Sequence, residues 1–197
     1  EAIRYKKPYS HTLLSIDKIE HLRKKYGQHA VNALLQEVGI ILTNLLRRDV
    51  DHAGKYSEDT FIVLLPSTER KGAIIFSERL KTRLSRLAIE KHPNVTITTS
   101  LGVTSLEPND KKKEEVVNKL IEALHHSVKN GGDILSFNYD GLISENLSDF
   151  EKATGMSAQL LKNAVENPFY LLDENGNEID FTKPTGTKNW INIPKQH

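Results

Sequence analysis

A polar segment between two apolar ones constrains the fold of this chain more than any other feature. Residues 61–65 are β-branched residues, leucines and a phenylalanine, and Pro66 ends the run, which is the pattern of a buried strand. The polar residues 57–60 come directly before it, and residues 50–56 form the other half of the pattern. The sequence therefore predicts a central hairpin with a polar tip.

The adjacent carboxylates of that tip, Glu58 and Asp59, have two interpretations. Carboxylate oxygens are ligands that divalent cations such as Mg²⁺ accept, so the pair could bind a metal ion. The same residues could form a solvated turn, because Asp and Ser are ordinary turn residues. The tip alone leaves both interpretations open.

Strands and helices alternate along the rest of the first two thirds of the chain. Apolar residues spaced as on one helix face predict helices over residues 29–48, 69–90 and from about residue 111. The apolar residues Leu13, Leu14 and Ile16 predict a short strand at 11–17, and alternation predicts a strand at 95–103. A shorter helix from Ile19 and a last strand at 134–137 give the order β-α-α-β-β-α-β-α-β, which predicts helices packed on a sheet. The helix from about residue 111 is expected to point these apolar residues inward: Val116, Val117, Leu120, Ile121, Leu124 and Val128.

Composition excludes several functions. Lys and Arg number 27 and Asp and Glu 26, so bulk electrostatic binding to nucleic acid is not expected. The chain has no Cys, which excludes disulfides, thiolate metal sites and a Cys nucleophile and suits a cytoplasmic protein. No apolar run is long enough for a membrane span. Because the chain begins at Glu1, it could be the soluble part of a larger or membrane-tethered protein.

The residue composition of the chain changes after residue 139. Residues 140–197 are richer in Asn, Pro and Gly, and they predict a helix over 147–166 and a hairpin around Asp173-Glu174-Asn175-Gly176-Asn177. We expect a main domain over 1–139 and a C-terminal extension over 140–197, packed on it or used as an interaction arm.

Residues 4–138 resemble the GGDEF domain of the diguanylate cyclases, a fold similar to the palm of nucleotidyl cyclases and polymerases. The matching segments are Leu13-Leu14-Ser15-Ile16-Asp17 through Tyr26-Gly27, Ser57-Glu58-Asp59-Thr60-Phe61 at the signature, Ser100-Leu101-Gly102-Val103, and residues 123–131. The resemblance implies an α/β (α+β) fold with a central sheet flanked by helices.

The resemblance also implies where the site residues should lie, and many of them differ here. Ser15 stands where the family has its magnesium-binding Asp, while the second Asp of that strand is kept as Asp17. The signature glycines correspond to Ser57 and Glu58, and its fourth residue, normally Glu, is Thr60.

Further positions implied by the resemblance have also changed. The guanine contacts correspond to Arg23 and Asn32, and the phosphate-binding Lys and Arg to Val128 and Gly132. Phosphoryl transfer needs metal ions and cations around the triphosphate, and losing one such element commonly costs about a hundredfold in rate. We therefore expect a catalytically inactive domain without a cofactor that acts as a signalling or protein-interaction module.

Two other functions remain open. Arg48 and Asp51 match the RxxD inhibitory site of the family, with Arg79 as a third contact, so the chain could be a cyclic di-GMP receptor. An Arg near a helix end is also common for structural reasons. A metal-dependent nucleotide enzyme of altered specificity would use magnesium with Asp59, Asp17 and Glu58.

Overall fold

The computed structural model describes residues 2–89, 92–139, 141–145 and 159. Its helices are α1 (Ala2–Tyr5), α2 (Ile19–Leu45), α3 (Arg70–Leu84) and α4 (Lys113–Lys129). Its strands are β1 (Tyr9–Ile16), β2 (His52–Lys55), β3 (Thr60–Pro66), β4 (Ala88–Ile89), β5 (His92–Thr96), β6 (Thr99–Ser105), β7 (Leu135–Tyr139) and β8 (Leu142–Ser144).

The main sheet is mixed and has the strand order β2-β3-β1-β6-β7-β8. The predicted central hairpin is confirmed, because β2 and β3 pair antiparallel with His52 opposite Leu64 and Lys55 opposite Phe61. β1 lies between β3 and β6 and is antiparallel to both, while β6 and β7 are parallel. α4 makes the crossover between those parallel strands, as a parallel connection requires.

Alternate residues of β1 separate two apolar layers. Leu14 and Ile16 pack in the larger core with residues of α2 and α3. Leu13 is 1% exposed but lies outside that core, on the opposite face of the strand, which α4 covers. Gly102 lets α4 approach the sheet, because a Cβ at that position would lie 2.3 Å from the backbone nitrogen of Leu124.

A kink divides α2. Gly27 has φ 86° and ψ 163° inside the helix, a conformation that favours glycine. The sequence predicted two separate helices here, one from Ile19 and one over 29–48, and the structure joins them with only Gly27 between them in a non-helical conformation. The first two turns, which carry Arg23, therefore project towards the hairpin tip separately from the long buried part of the helix.

The structure corrects three sequence predictions. The predicted strand 95–103 is two strands, because β5 leaves the main sheet to pair with β4. α3 ends at Leu84 instead of continuing to residue 90. The apolar residues of α4 do not all point inward. The exposed fractions are 38% for Val117, 38% for Ile121 and 47% for Val128, since only a narrow stripe of this helix touches the sheet.

The sheet continues past the boundary expected at residue 139. β8 pairs antiparallel with β7, with Leu142 opposite Tyr139, and adds an edge strand. The predicted helix over 147–166 lies outside the described residues except for Gln159, and the hairpin predicted beyond it lies entirely outside them. None of the described helices is both long enough and apolar enough to cross a membrane.

Candidate functional site

The hairpin tip lies against the end of β1. The backbone N–H groups of Tyr56 and Ser57 donate to the Thr60 carbonyl at 2.8 and 3.1 Å, which closes the turn. The Ile16 N–H donates to the Asp59 carbonyl at 3.2 Å and ties the tip to the central strand. The last signature residue, Phe61, is 6% exposed and belongs to the core.

The carboxylate of Asp59 is bound inside its own turn. Its Oδ1 accepts hydrogen bonds from the Ser57 hydroxyl at 2.9 Å and from the Thr60 hydroxyl at 3.1 Å. The hydroxyls at both of these tip positions thus donate to Asp59.

A row of hydroxyl residues crosses the sheet beside the tip. Ser15 on β1 lies opposite Thr60 on β3 and opposite Ser100 on β6. Residues in register share a face of the sheet, so three neutral side chains lie side by side there. Over the part of the chain that the structure describes, no three His, Cys, Asp or Glu side chains come together as a possible metal site.

Asp17, just beyond β1, connects three elements. Its Oδ1 accepts from the Ser100 hydroxyl at 2.7 Å and its Oδ2 from the Asp133 N–H at 2.9 Å. Gly132 packs against the same carboxylate with φ +79°, and a Cβ there would lie 2.9 Å from Asp17 Cγ. Lys81 of α3 completes the cluster by pairing with Asp133 at 3.2 Å.

Arg23 reaches the tip from α2. Its Nη2 donates to Glu58 Oε1 at 2.6 Å, and its Nη1 pairs with Glu20. Asn32, the other position expected to contact a base, is exposed and accepts from Gln28 at 2.8 Å within the helix. Sequence reasoning missed the Arg23–Glu58 pair, although the opposite charges of these two residues were a visible signal.

Comparison with known proteins decides the family. Residues 1–133 match the family model described as "Diguanylate cyclase, GGDEF domain". This chain belongs to the GGDEF family. It is 26% identical over 138 residues to diguanylate cyclase A of Treponema denticola, covering 70% of this chain and 37% of the relative. It is 30% identical over 127 residues to the probable diguanylate cyclase DgcC of Escherichia coli K12, covering 61% of this chain and 33% of the relative. The GGDEF chain thus spans about a third of the length of these curated relatives.

Solved structures have the same fold. The active GGEEF domain of a Vibrio cholerae diguanylate cyclase gives a TM-score of 0.64 at 21% identity, covering 69% of this chain and 86% of that one. The DgcB GGDEF domain of Caulobacter crescentus in complex with c-di-GMP gives a TM-score of 0.63 at 16% identity. The match covers 69% of this chain and 81% of that one. Diguanylate cyclase SiaD of Pseudomonas aeruginosa, in complex with its activator SiaC, gives a TM-score of 0.63 at 24% identity. The match covers 69% of this chain and 52% of that one.

The RxxD residues of this GGDEF domain have an unexpected partner. Asp51 is buried, and its carboxylate accepts from Arg47 Nη2 at 2.6 Å and Nε at 2.9 Å. These hydrogen bonds raise the pKa of the Arg47 guanidinium. Arg48 lies exposed in the turn. Arg79 is half-buried on α3, where burial first and then the nearby charge of Arg83 lower its pKa.

A network of charged side chains lies at the end of β1 that is opposite the hairpin tip. Lys119 Nζ bonds Glu107 at 2.8 Å and Asp110 at 2.6 Å beside a cleft of about 400 Å³. Arg70 lies over the Tyr139 ring with its Cζ 4.5 Å from the ring centroid. The sequence contained no signal for this network, because its members come from four separate segments.

Proposed function

We propose that this GGDEF domain does not synthesise cyclic di-GMP and acts as a signalling or protein-interaction module. The observation that carries the proposal is the state of the two remaining carboxylates. Asp17 and Asp59 each accept two hydrogen bonds from the chain itself, and Ser15 contributes no charge beside them. Both oxygens of Asp17 and Oδ1 of Asp59 thus already accept hydrogen bonds from the chain.

The donor set does not fit the magnesium ions that the family reaction requires. Magnesium takes near-octahedral oxygen ligands and is usually bound through one or two carboxylates together with waters and substrate phosphates. The row of Ser15, Thr60 and Ser100 supplies neutral hydroxyls instead. Val128 and Gly132 supply no cation for a triphosphate, and Glu58 adds negative charge at the tip. Each of these changes lowers the electrostatic stabilisation of phosphoryl transfer.

The module role agrees with what a structural neighbour does. SiaD, a diguanylate cyclase, binds a protein activator in its solved complex. A domain of the same fold can thus belong to a protein that takes a protein partner, and for this chain we propose a protein partner in place of a substrate.

A cyclase assay tests the proposal. The purified chain is incubated with GTP and Mg²⁺ or Mn²⁺, beside an active diguanylate cyclase, and cyclic di-GMP is quantified by mass spectrometry. We expect no product, and any trace should be equal in Asp59→Asn, which identifies it as contamination. Product at ordinary cyclase rates that is lost in Asp59→Asn would contradict the proposal.

A cyclic di-GMP receptor is the second candidate, favoured by the exposed guanidinium of Arg48 and by the dinucleotide complex of the DgcB domain. Asp51 would have to exchange its bonds with Arg47 to contact the ligand. Calorimetry with cyclic di-GMP on the chain and on Arg48→Ala separates the alternatives. If no heat of binding is detected at high micromolar cyclic di-GMP, the chain is not a receptor for this ligand.

A further inference from the structure

Three polar side chains form a row across the centre of the main sheet. His11 on β1 lies opposite Thr104 on β6, and Thr104 lies opposite Asn138 on β7. Residues in register share a face of the sheet, and neighbouring strands are about 5 Å apart. The three side chains are therefore neighbours on one face.

This row lies on the face of the sheet that α4 covers. The hydroxyl of Ser127 on α4 donates to the hydroxyl of Ser136 on β7 at 2.8 Å, and Asn138 points to the same face two residues further along the strand. Thr12, one residue along β1 from the row, points to the other face and bonds Ser77 of α3 at 2.9 Å. The row is thus enclosed between the sheet and α4.

Each residue of the row has a buried polar atom without a hydrogen-bond partner in the part of the chain that the structure describes. These atoms are His11 Nδ1, Thr104 Oγ1 and Asn138 Oδ1, so the three do not bond one another either. The exposed fraction is 1% for Thr104 and 2% for Asn138. Because a buried polar group left unpaired costs about 1–3 kcal/mol, a partner shared by all three would stabilise the fold.

We propose that the row binds a buried water molecule between the sheet and α4. A water molecule both donates and accepts, so it can donate to Asn138 Oδ1 and to a neutral His11 ring and accept from the Thr104 hydroxyl. Three such hydrogen bonds are what a buried water typically makes. Burial lowers the pKa of His11 to about 4, so the ring is neutral near pH 7.

A neutral ligand fits this row better than a cation. The three side chains include no carboxylate. The acids of the cleft at this end of β1, Glu107 and Asp110, already pair with Lys119 at 2.8 and 2.6 Å. A cation buried without a counter-charge costs far more free energy than a neutral molecule whose hydrogen bonds are satisfied.

The cleft of about 400 Å³ brings solvent close to the row. Tyr9 lines this cleft, and its ring stacks on the His11 ring with the centroids 4.8 Å apart. A water behind this ring should exchange with solvent more slowly than the protein tumbles, which makes it measurable.

The test is magnetic relaxation dispersion of the solvent ¹⁷O signal, which counts the water molecules that a protein holds for longer than its tumbling time. The full chain is compared with Thr104→Val, a variant of nearly the same shape that lacks only the hydroxyl. We expect Thr104→Val to hold one long-lived water fewer than the parent chain. Thr12→Val is the matched control, because it makes the same change on the other face of β1 at a hydroxyl that already bonds Ser77. It should hold as many as the parent chain.

An equal count in the parent chain and in Thr104→Val would overturn the proposal, as would an equal loss in Thr12→Val. If Thr104→Val does not fold, nuclear Overhauser effects from water to the His11 and Thr104 side chains of the parent chain decide the question, and their absence contradicts the site.

Thermal unfolding in NaCl, KCl and choline chloride is a second arm. We expect the same Tm in all three salts at equal ionic strength. A Tm that one metal ion raises in the parent chain but not in Thr104→Val would show that the row binds a cation and would contradict a water site. None of these outcomes depends on whether the chain makes cyclic di-GMP.

Discussion

Asp17→Asn distinguishes a structural carboxylate from a residual metal ligand. Asp17 accepts from the Ser100 hydroxyl at 2.7 Å and from the Asp133 N–H at 2.9 Å. A hydrogen bond to a charged group contributes about 1.5–3 kcal/mol. An asparagine keeps one carbonyl acceptor but turns an NH₂ towards the other donor. Because the site is partly exposed, we expect a loss of about 1–2 kcal/mol in the free energy of unfolding.

Urea unfolding followed by circular dichroism measures that loss, and for a chain of this length it corresponds to a fall in Tm of about 2–8 °C. Asp59→Asn is the matched control. Its donors are the hydroxyls of Ser57 and Thr60, which can rotate towards water, so it should cost about 0.5 kcal/mol or less. A carboxylate kept only for metal binding would gain stability when neutralised. Unchanged or raised stability in Asp17→Asn would therefore refute a structural role.

Three other substitutions test the fold. Gly102→Ala should lower the free energy of unfolding in urea by about 3 kcal/mol, because its Cβ would lie 2.3 Å from the α4 backbone. Gly54→Ala is the control and should be near neutral, because a Cβ there meets nothing within 4 Å. Equal losses in the two variants would contradict the packing of α4 on the sheet. Burial lowers the pKa of His11 to about 4, so the folded state resists a proton that the unfolded chain accepts near pH 6.5. The free energy of unfolding should fall by about 3 kcal/mol from pH 6.5 to 4, and this pH dependence should be absent in His11→Gln. The same pH dependence in both proteins would contradict a buried, neutral His11. Asp51→Asn should lower the free energy of unfolding by about 2 kcal/mol, because it removes the buried negative charge that pairs with Arg47. A loss below about 0.5 kcal/mol would contradict that pairing.

Local patterns in the sequence were enough to predict the hairpin and five of the six strands of the main sheet, but not β8. The apolar residues within 11–17 and the apolar run ending at Pro66 predicted β1 and β3, and the tip between β2 and β3 lies where the polar residues indicated. The split of residues 92–105 into β5 and β6 could not be predicted, because both halves alternate and the pairing of β5 with β4 depends on tertiary packing.

The candidate site was predictable in position but not in its contacts. The changed residues Ser15 and Glu58 were visible in the sequence, whereas the partners that hold Asp17 and Asp51 were not. Asp17 meets an N–H that comes from 116 residues away in the chain, and no local pattern encodes such a contact. The partner of Asp51 is its neighbour at i−4, Arg47, and the RxxD pattern directed attention to Arg48 instead.

The contact between Gly132 and Asp17 limits which side chains position 132 can carry. An arginine at position 132, where the resemblance places a phosphate-binding one, would bring its Cβ to 2.9 Å from Asp17 Cγ at φ +79°. Such a substitution would have to break a bond of Asp17 or move the turn before the new side chain could bind any ligand. Introducing the family's residues one at a time would therefore pass through less stable intermediates, so this turn would have to be changed first.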